Sequence, residues 1–142
     1  MIINKEGLKI IKDSESLKLK SYICPAGVLT IGYGHTGADV TPNMTISVGR
    51  AEELLKSDLR RFELGVEKLL KVKTSPNEFS AMVSLAFNIG LGNFKNSEVL
   101  INHNKDHKYD ACIKFHNWRR GGGRILKGLV RRRIKEAELY IS

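Results

Sequence analysis

Two hydrophobic periods alternate along this chain. Leu8, Ile11 and Glu15 recur at helical spacing after Asn4, a residue type suited to an N-cap. The spacing predicts a first helix that carries Glu15 on its inward stripe near the end, with Lys9, Lys12 and Asp13 on other faces. Between about Leu19 and Tyr33 the period shortens. Ser21–Cys24 and Val28–Ile31 read as two strands joined by Pro25-Ala26-Gly27, a three-residue turn. Gly32, Gly34 and Gly37 then mark a bent strand or loop, and Thr41-Pro42-Asn43 a further turn. From Ser47 the helical period returns, and Ala51, Leu54, Leu55, Leu59, Phe62, Val66, Leu69 and Leu70 form one long apolar stripe. Thr74-Ser75-Pro76 breaks it. Ser75, Pro76 and Glu78 stand as N-cap, N1 and N3 of the next helix, which Gly90 ends. That helix is the most apolar, so it is expected to be central. Shorter helices follow from Ser97 and over about Lys108–Trp118. After a break at Gly121-Gly122-Gly123, a last helix runs over about Leu126–Tyr140. A small sheet early in an otherwise helical chain is an α+β layout, read as a single domain over 1–142 with a β lobe over about 18–46. A cleft between such lobes suits a long substrate.

Composition changes this picture little. The 142 residues are 42% hydrophobic and 27% charged, an ordinary globular balance. No apolar run nears the ~20 residues of a membrane span. Met1-Ile2-Ile3-Asn4-Lys5 does not read as a signal peptide, so synthesis in the cytoplasm is expected. Cys24 and Cys112 are too few for a disulfide scaffold and are read as free thiols. His103 and His107 share a helical face without an evident third ligand, so no metal site and no cofactor are expected. The net charge of +9 implies attraction to a polyanion. No zinc-finger or RNA-binding signature accompanies it, and nucleic acid is not the expected partner.

Three side chains carry candidate chemistry. A carboxylate held partly out of water keeps a proton more readily than an exposed one, which is what a general acid requires. By periodicity alone, the reading of Glu15 as a structural partner of a buried arginine is favoured over the acid. The three-residue turn sets Cys24 opposite Val28 and Tyr22 opposite Thr30, all four on one face of the hairpin. A thiol and a hydroxyl then flank one surface, although a half-buried cysteine and an ordinary strand threonine would look the same.

Glu15, eight residues, Cys24, five residues and Thr30 form a pattern that resembles the catalytic spacing of phage-type lysozymes, the endolysins of glycoside hydrolase family 24. The resemblance extends to Cys24-Pro25-Ala26-Gly27-Val28, to Thr30-Ile31-Gly32-Tyr33-Gly34-His35-Thr36-Gly37 and to Ala86-Phe87-Asn88-Ile89-Gly90. It continues through Trp118-Arg119-Arg120-Gly121-Gly122 and Gly128-Leu129-Val130-Arg131-Arg132-Arg133, and so spans essentially the whole chain. It implies a lysozyme-like fold and cleavage of the β-1,4 bond between N-acetylmuramic acid and N-acetylglucosamine of bacterial peptidoglycan. Glu15 would protonate the leaving oxygen, and Thr30 would place water or shape the site. The family's middle position is commonly aspartate, and Cys24 is its cysteine form. That leaves open whether the group is a base, a water-orienting group or packing, and leaves the stereochemical outcome open. A lytic transglycosylase would also use one glutamate. The resemblance further implies a monomer made in the host bacterial cytoplasm and released to the wall through a holin.

The remaining candidates are supporting ones. His35 is read as lining the cleft or pairing with an acid, and the second reading is favoured. Asn88 and Asn93 suit either sugar N-acetyl groups or the backbone of a turn. Trp118 suits a sugar face or the core. Eight Lys or Arg fall between Arg119 and Lys135. They read as a solvated face with a few structural ion pairs, or as a contact with the anionic wall. In similar enzymes basic residues of the last helix approach the acid, which makes Arg132 and Arg133 candidates for reaching Glu15.

Overall fold

The computed structural model describes residues 1–142 and divides into two compact units, residues 12–61 and residues 1–11 with 62–142. The first helix, α1, covers Lys5–Ser14, and Asn4 caps it by accepting from the Gly7 amide at 3.0 Å. Glu15 therefore lies one residue beyond the helix rather than in its last turn.

The sheet of residues 12–61 has strands β1 Lys18–Ile23, β2 Leu29–Gly32 and β3 His35–Thr36, antiparallel in that order. Tyr22 pairs with Thr30 and Ile23 with Leu29, and the register shifts between Lys18 and Tyr22. Just past the strand ends, Cys24 N–H donates to Val28 O at 3.0 Å and Gly27 N–H to Cys24 O at 2.8 Å. Gly27 has φ +80°, which explains glycine at the third turn position. β1 begins three residues earlier than the alternation predicts. The segment after Pro42 joins its outer edge, where Ser21 N–H donates to Met44 O and Ile46 N–H to Leu19 O. Ile31, Val40 and Leu54 form the core there, flanked by Leu29, Met44 and Ile46.

Ser47 caps α2, Val48–Leu69, by accepting from the Arg50 amide, and the predicted stripe from Ala51 to Val66 is buried. Helix α3, Pro76–Ile89, buries every residue from Phe79 to Ala86 and packs mainly on the last helix, α7, Lys127–Ile141. Between them lie α4 Leu91–Lys95, α5 Glu98–Asn104 and α6 Lys108–Lys114. The expected helix to Trp118 stops at Lys114 and tightens into a 3-10 turn over Phe115–Asn117. Neither α4 nor the two-stranded ribbon β4 Arg120–Gly121 and β5 Arg124–Ile125 is anticipated by periodicity, because each is too short to show a period. The ribbon turns through Gly122 and Gly123, both at positive φ, as a tight hairpin requires.

The capping box of α3 is complete. Ser75 Oγ accepts from the Glu78 amide at 3.0 Å, and Glu78 Oε1 accepts from the Ser75 amide at 2.8 Å. Ser75→Ala is expected to cost about 1 kcal/mol in urea unfolding, with an unchanged denaturant slope. A loss of only a few tenths would mean that solvent serves this helix end equally well.

Candidate active site

The turns place the candidate groups. Glu15 is half-buried where the chain leaves α1 for β1. Gly34 forms the β2–β3 turn at φ +80°, and a Cβ there would stand 3.9 Å from Glu15 Oε2. A side chain at Gly34 would be strained by that backbone conformation, while its Cβ would meet the carboxylate only at ordinary van der Waals distance. On the neighbouring hairpin, Thr30 is buried and its hydroxyl donates to Val28 O at 2.9 Å.

The Cys24 sulfur meets the backbone of Val28, then the Thr30 hydroxyl, then the backbone of Ala26. These hydrogen bonds favour the anion and lower its pKa below that of an ordinary thiol, against a weaker effect of burial. The hairpin sets Thr30 opposite Tyr22 and joins the Cys24 amide to the Val28 carbonyl, as the facing pairs predict. The turn built on Gly34 follows the strand that holds Thr30 and lies beside Glu15.

His35, at the start of β3, lies between two carboxylates. Its Nδ1 is 2.8 Å from Asp58 Oδ2 and its Nε2 is 3.0 Å from Asp39 Oδ1. Carboxylates only accept, so the two contacts favour the doubly protonated ring, an imidazolium. Burial disfavours that cation, but the bonds and charges of Asp58 and Asp39 outweigh burial, and the pKa of His35 is raised. The same contact lowers the pKa of Asp39.

In the helical unit, Arg132 and Arg133 are buried with Glu136. Arg132 Nε donates to Glu136 Oε2 at 3.2 Å, and Arg132 Nη2 donates to Ser84 O at 3.2 Å. Arg133 donates to Glu136 Oε2, to Asn88 Oδ1 at 2.9 Å and to the Trp118 carbonyl at 3.1 Å. Asn88 is thus held by an arginine, and Asn93 donates to Ile89 O in the turn role. His103 is fully buried between Tyr140 and Thr74, at 2.6 and 2.8 Å. Burial, reinforced by Lys108, pushes its pKa down to about 4, so it stands as a neutral structural ring.

Residues 12–136 match the phage lysozyme family. The chain belongs to that family. Phage lysozymes are glycoside hydrolases, and the fold here is theirs: helices with one small antiparallel sheet. The endolysin of Bacillus phage PZA is 41% identical over all of this chain. The chain spans only 56% of that relative, so about half the length of such longer relatives has a counterpart here. The endolysin of Salmonella phage P22 is 36% identical, with 100% of this chain and 99% of that one covered. Among solved structures, a P22 lysozyme variant superposes with a TM-score of 0.91 at 36% identity, covering 100% of this chain and 99% of that one. The muramidase domain of SpmX from Asticaccaulis excentricus gives 0.91 at 32%, covering 99% and 97%.

Sequence reasoning about this phage lysozyme missed the anions that hold its supporting residues. Glu136 stands four residues after Arg132 and three after Arg133, a helical ion-pair spacing that was there to be read. Asp58 lies 23 residues from His35 on another element and leaves no local signal.

The His35 cluster gives a pH prediction. Its folded pKa is raised above 6.5, so its stabilisation is complete below about that value and is lost as pH rises through the folded pKa. The unfolding midpoint is expected to fall as pH rises beyond 6.5, and His35→Asn is expected to flatten that limb. A wild-type curve already flat there would contradict the imidazolium.

Proposed function

We propose that this phage lysozyme family member hydrolyses the β-1,4 bond between N-acetylmuramic acid and N-acetylglucosamine in bacterial peptidoglycan, with Glu15 as general acid. The observation that carries this reading is the Glu15 carboxylate beside the glycine turn at Gly34, which directly follows the strand that holds the buried Thr30. In the reaction, the Glu15 proton passes to the glycosidic oxygen as the bond from the anomeric carbon to that oxygen breaks. Water adds to the same carbon, and its proton leaves through the Cys24 sulfur, whose anion is stabilised by neighbouring donors. Thr30, whose hydroxyl donates to the Val28 carbonyl, shapes the surface on which water is oriented.

The net charge of +9 suits an anionic wall. No helix is long and apolar enough to cross a membrane. In this reading the protein acts as a monomer in host cell lysis and reaches the wall through a holin pore. Digestion of purified peptidoglycan followed by mass spectrometry tests the reaction type. Reducing muramic acid ends are expected, and 1,6-anhydro ends in their place would replace hydrolysis by transglycosylation.

A further inference from the structure

A cavity of about 370 Å3 lies wholly within the helical unit, formed at the end of α2, by Lys95 at the end of α4, and by α5. That volume falls in the range of small-molecule sites. Leu69, Leu100 and Ile101 supply its apolar lining, and Lys71, Lys95 and Lys105 its charge. The one other lining side chain, Asn104, is engaged with the backbone: its amide donates to Leu69 O and its oxygen accepts from the Lys71 amide, both at 2.9 Å.

The three lysines differ from their neighbours. Lys108 pairs with Glu78 and Lys114 with Glu98, whereas Lys71, Lys95 and Lys105 have no carboxylate within ion-pair distance. Three unpaired ammonium groups around one apolar hollow repel one another, and an anion placed among them would relieve that repulsion. The lining has no aromatic face for a sugar ring and no uncommitted amide or hydroxyl for sugar hydroxyls. Its complement is an anionic group attached to an apolar body.

We propose that this cavity binds an anionic phospholipid, with the headgroup phosphate among Lys71, Lys95 and Lys105 and the first methylenes of an acyl chain against Leu69, Leu100 and Ile101. The site would hold the enzyme at the surface of a membrane whose lipids are anionic. It is independent of Glu15, Cys24 and Thr30, which belong to the other compact unit.

The test uses the full chain and three probes. These are vesicles of phosphatidylcholine with and without phosphatidylglycerol, monomeric dihexanoyl-phosphatidylglycerol, and inorganic phosphate. The variant K71Q/K95Q/K105Q is expected to bind the anionic vesicles roughly 100-fold more weakly. A control of equal charge loss, K5Q/K18Q/K127Q, is expected to lose less than tenfold. Both should retain peptidoglycan hydrolysis, which reports that they fold. The short-chain lipid is expected to shift the amide signals of α5 in the wild type, and Ile101→Ser to weaken that response severalfold. Equal losses in the two triple variants would overturn the proposal in favour of diffuse charge attraction. Equal affinity for inorganic phosphate and the short-chain lipid would overturn it in favour of a bare anion site. Absence of α5 shifts with the lipid would overturn it outright.

Discussion

Glu15→Gln is expected to lower the rate of peptidoglycan hydrolysis by roughly a hundredfold to ten-thousandfold, with little change in fold. The amide has the shape of the carboxyl group but no acidic proton for the departing oxygen. The site tolerates the exchange because Glu15 is only half-buried and the turn beside it, at Gly34, has no side chain to clash. The loss should fall on kcat rather than KM, since the proton moves only as the bond breaks. Turbidity loss of isolated cell walls measures the rate, and circular dichroism verifies the helices. A variant that folds and lyses walls at the wild-type rate would remove Glu15 from the acid role. Whole bacteria still lysed by a variant that no longer clears isolated walls would point instead to membrane disruption by the basic last helix.

Glu136→Ala is expected to destabilise the protein by about 3–5 kcal/mol, and to lower Tm on the order of 10 °C. Glu136 and Arg133 have no exposed surface, and Arg132 retains 4%. Arg133 Nε and Glu136 Oε1 face each other at 2.7 Å, and neither atom has another partner. Burial raises the Glu136 pKa, against the pull of Arg133, Arg132 and the Ser84 hydroxyl. Without the carboxylate, two guanidinium groups are left buried with too little opposing charge. Glu136→Gln should cost less, because the amide keeps one acceptor for Arg132 Nε. Urea unfolding measures both. A loss under 1 kcal/mol for the alanine variant would mean that water enters and replaces the carboxylate. Because Arg133 also holds Asn88 and the Trp118 carbonyl, the variant reports whether this network orders the end of α3.

Much of this architecture is legible in the sequence. The stripe from Ala51 to Val66 and the run around Phe79–Ala86 are periodic over several turns, and such signals survive packing. Ser75-Pro76-Asn77-Glu78 is legible because a cap is a contact between residues three apart. The pairing of Tyr22 with Thr30 follows from the length of one turn, as does the joining of Cys24 to Val28. Elements shorter than a period escaped: α4, the 3-10 turn that ends α6 early, and the ribbon around Gly122 and Gly123. For the ribbon a signal existed, since two adjacent glycines suit a tight hairpin as well as a break.

The hairpin with Cys24 and Thr30, and the helix that Glu15 directly follows, are determined by the sequence itself, because spacing along the chain sets the faces of short-range elements. Tertiary structure decided which charges meet. His35 lies between Asp39 and Asp58, and Arg133 joins Glu136, Asn88 and Trp118, because folding carried distant residues together and excluded water from around them. It also left Lys71, Lys95 and Lys105 around an apolar hollow without a counter-ion. Periodicity is a one-dimensional signal, whereas the choice of an ionic partner depends on distance and desolvation in three dimensions.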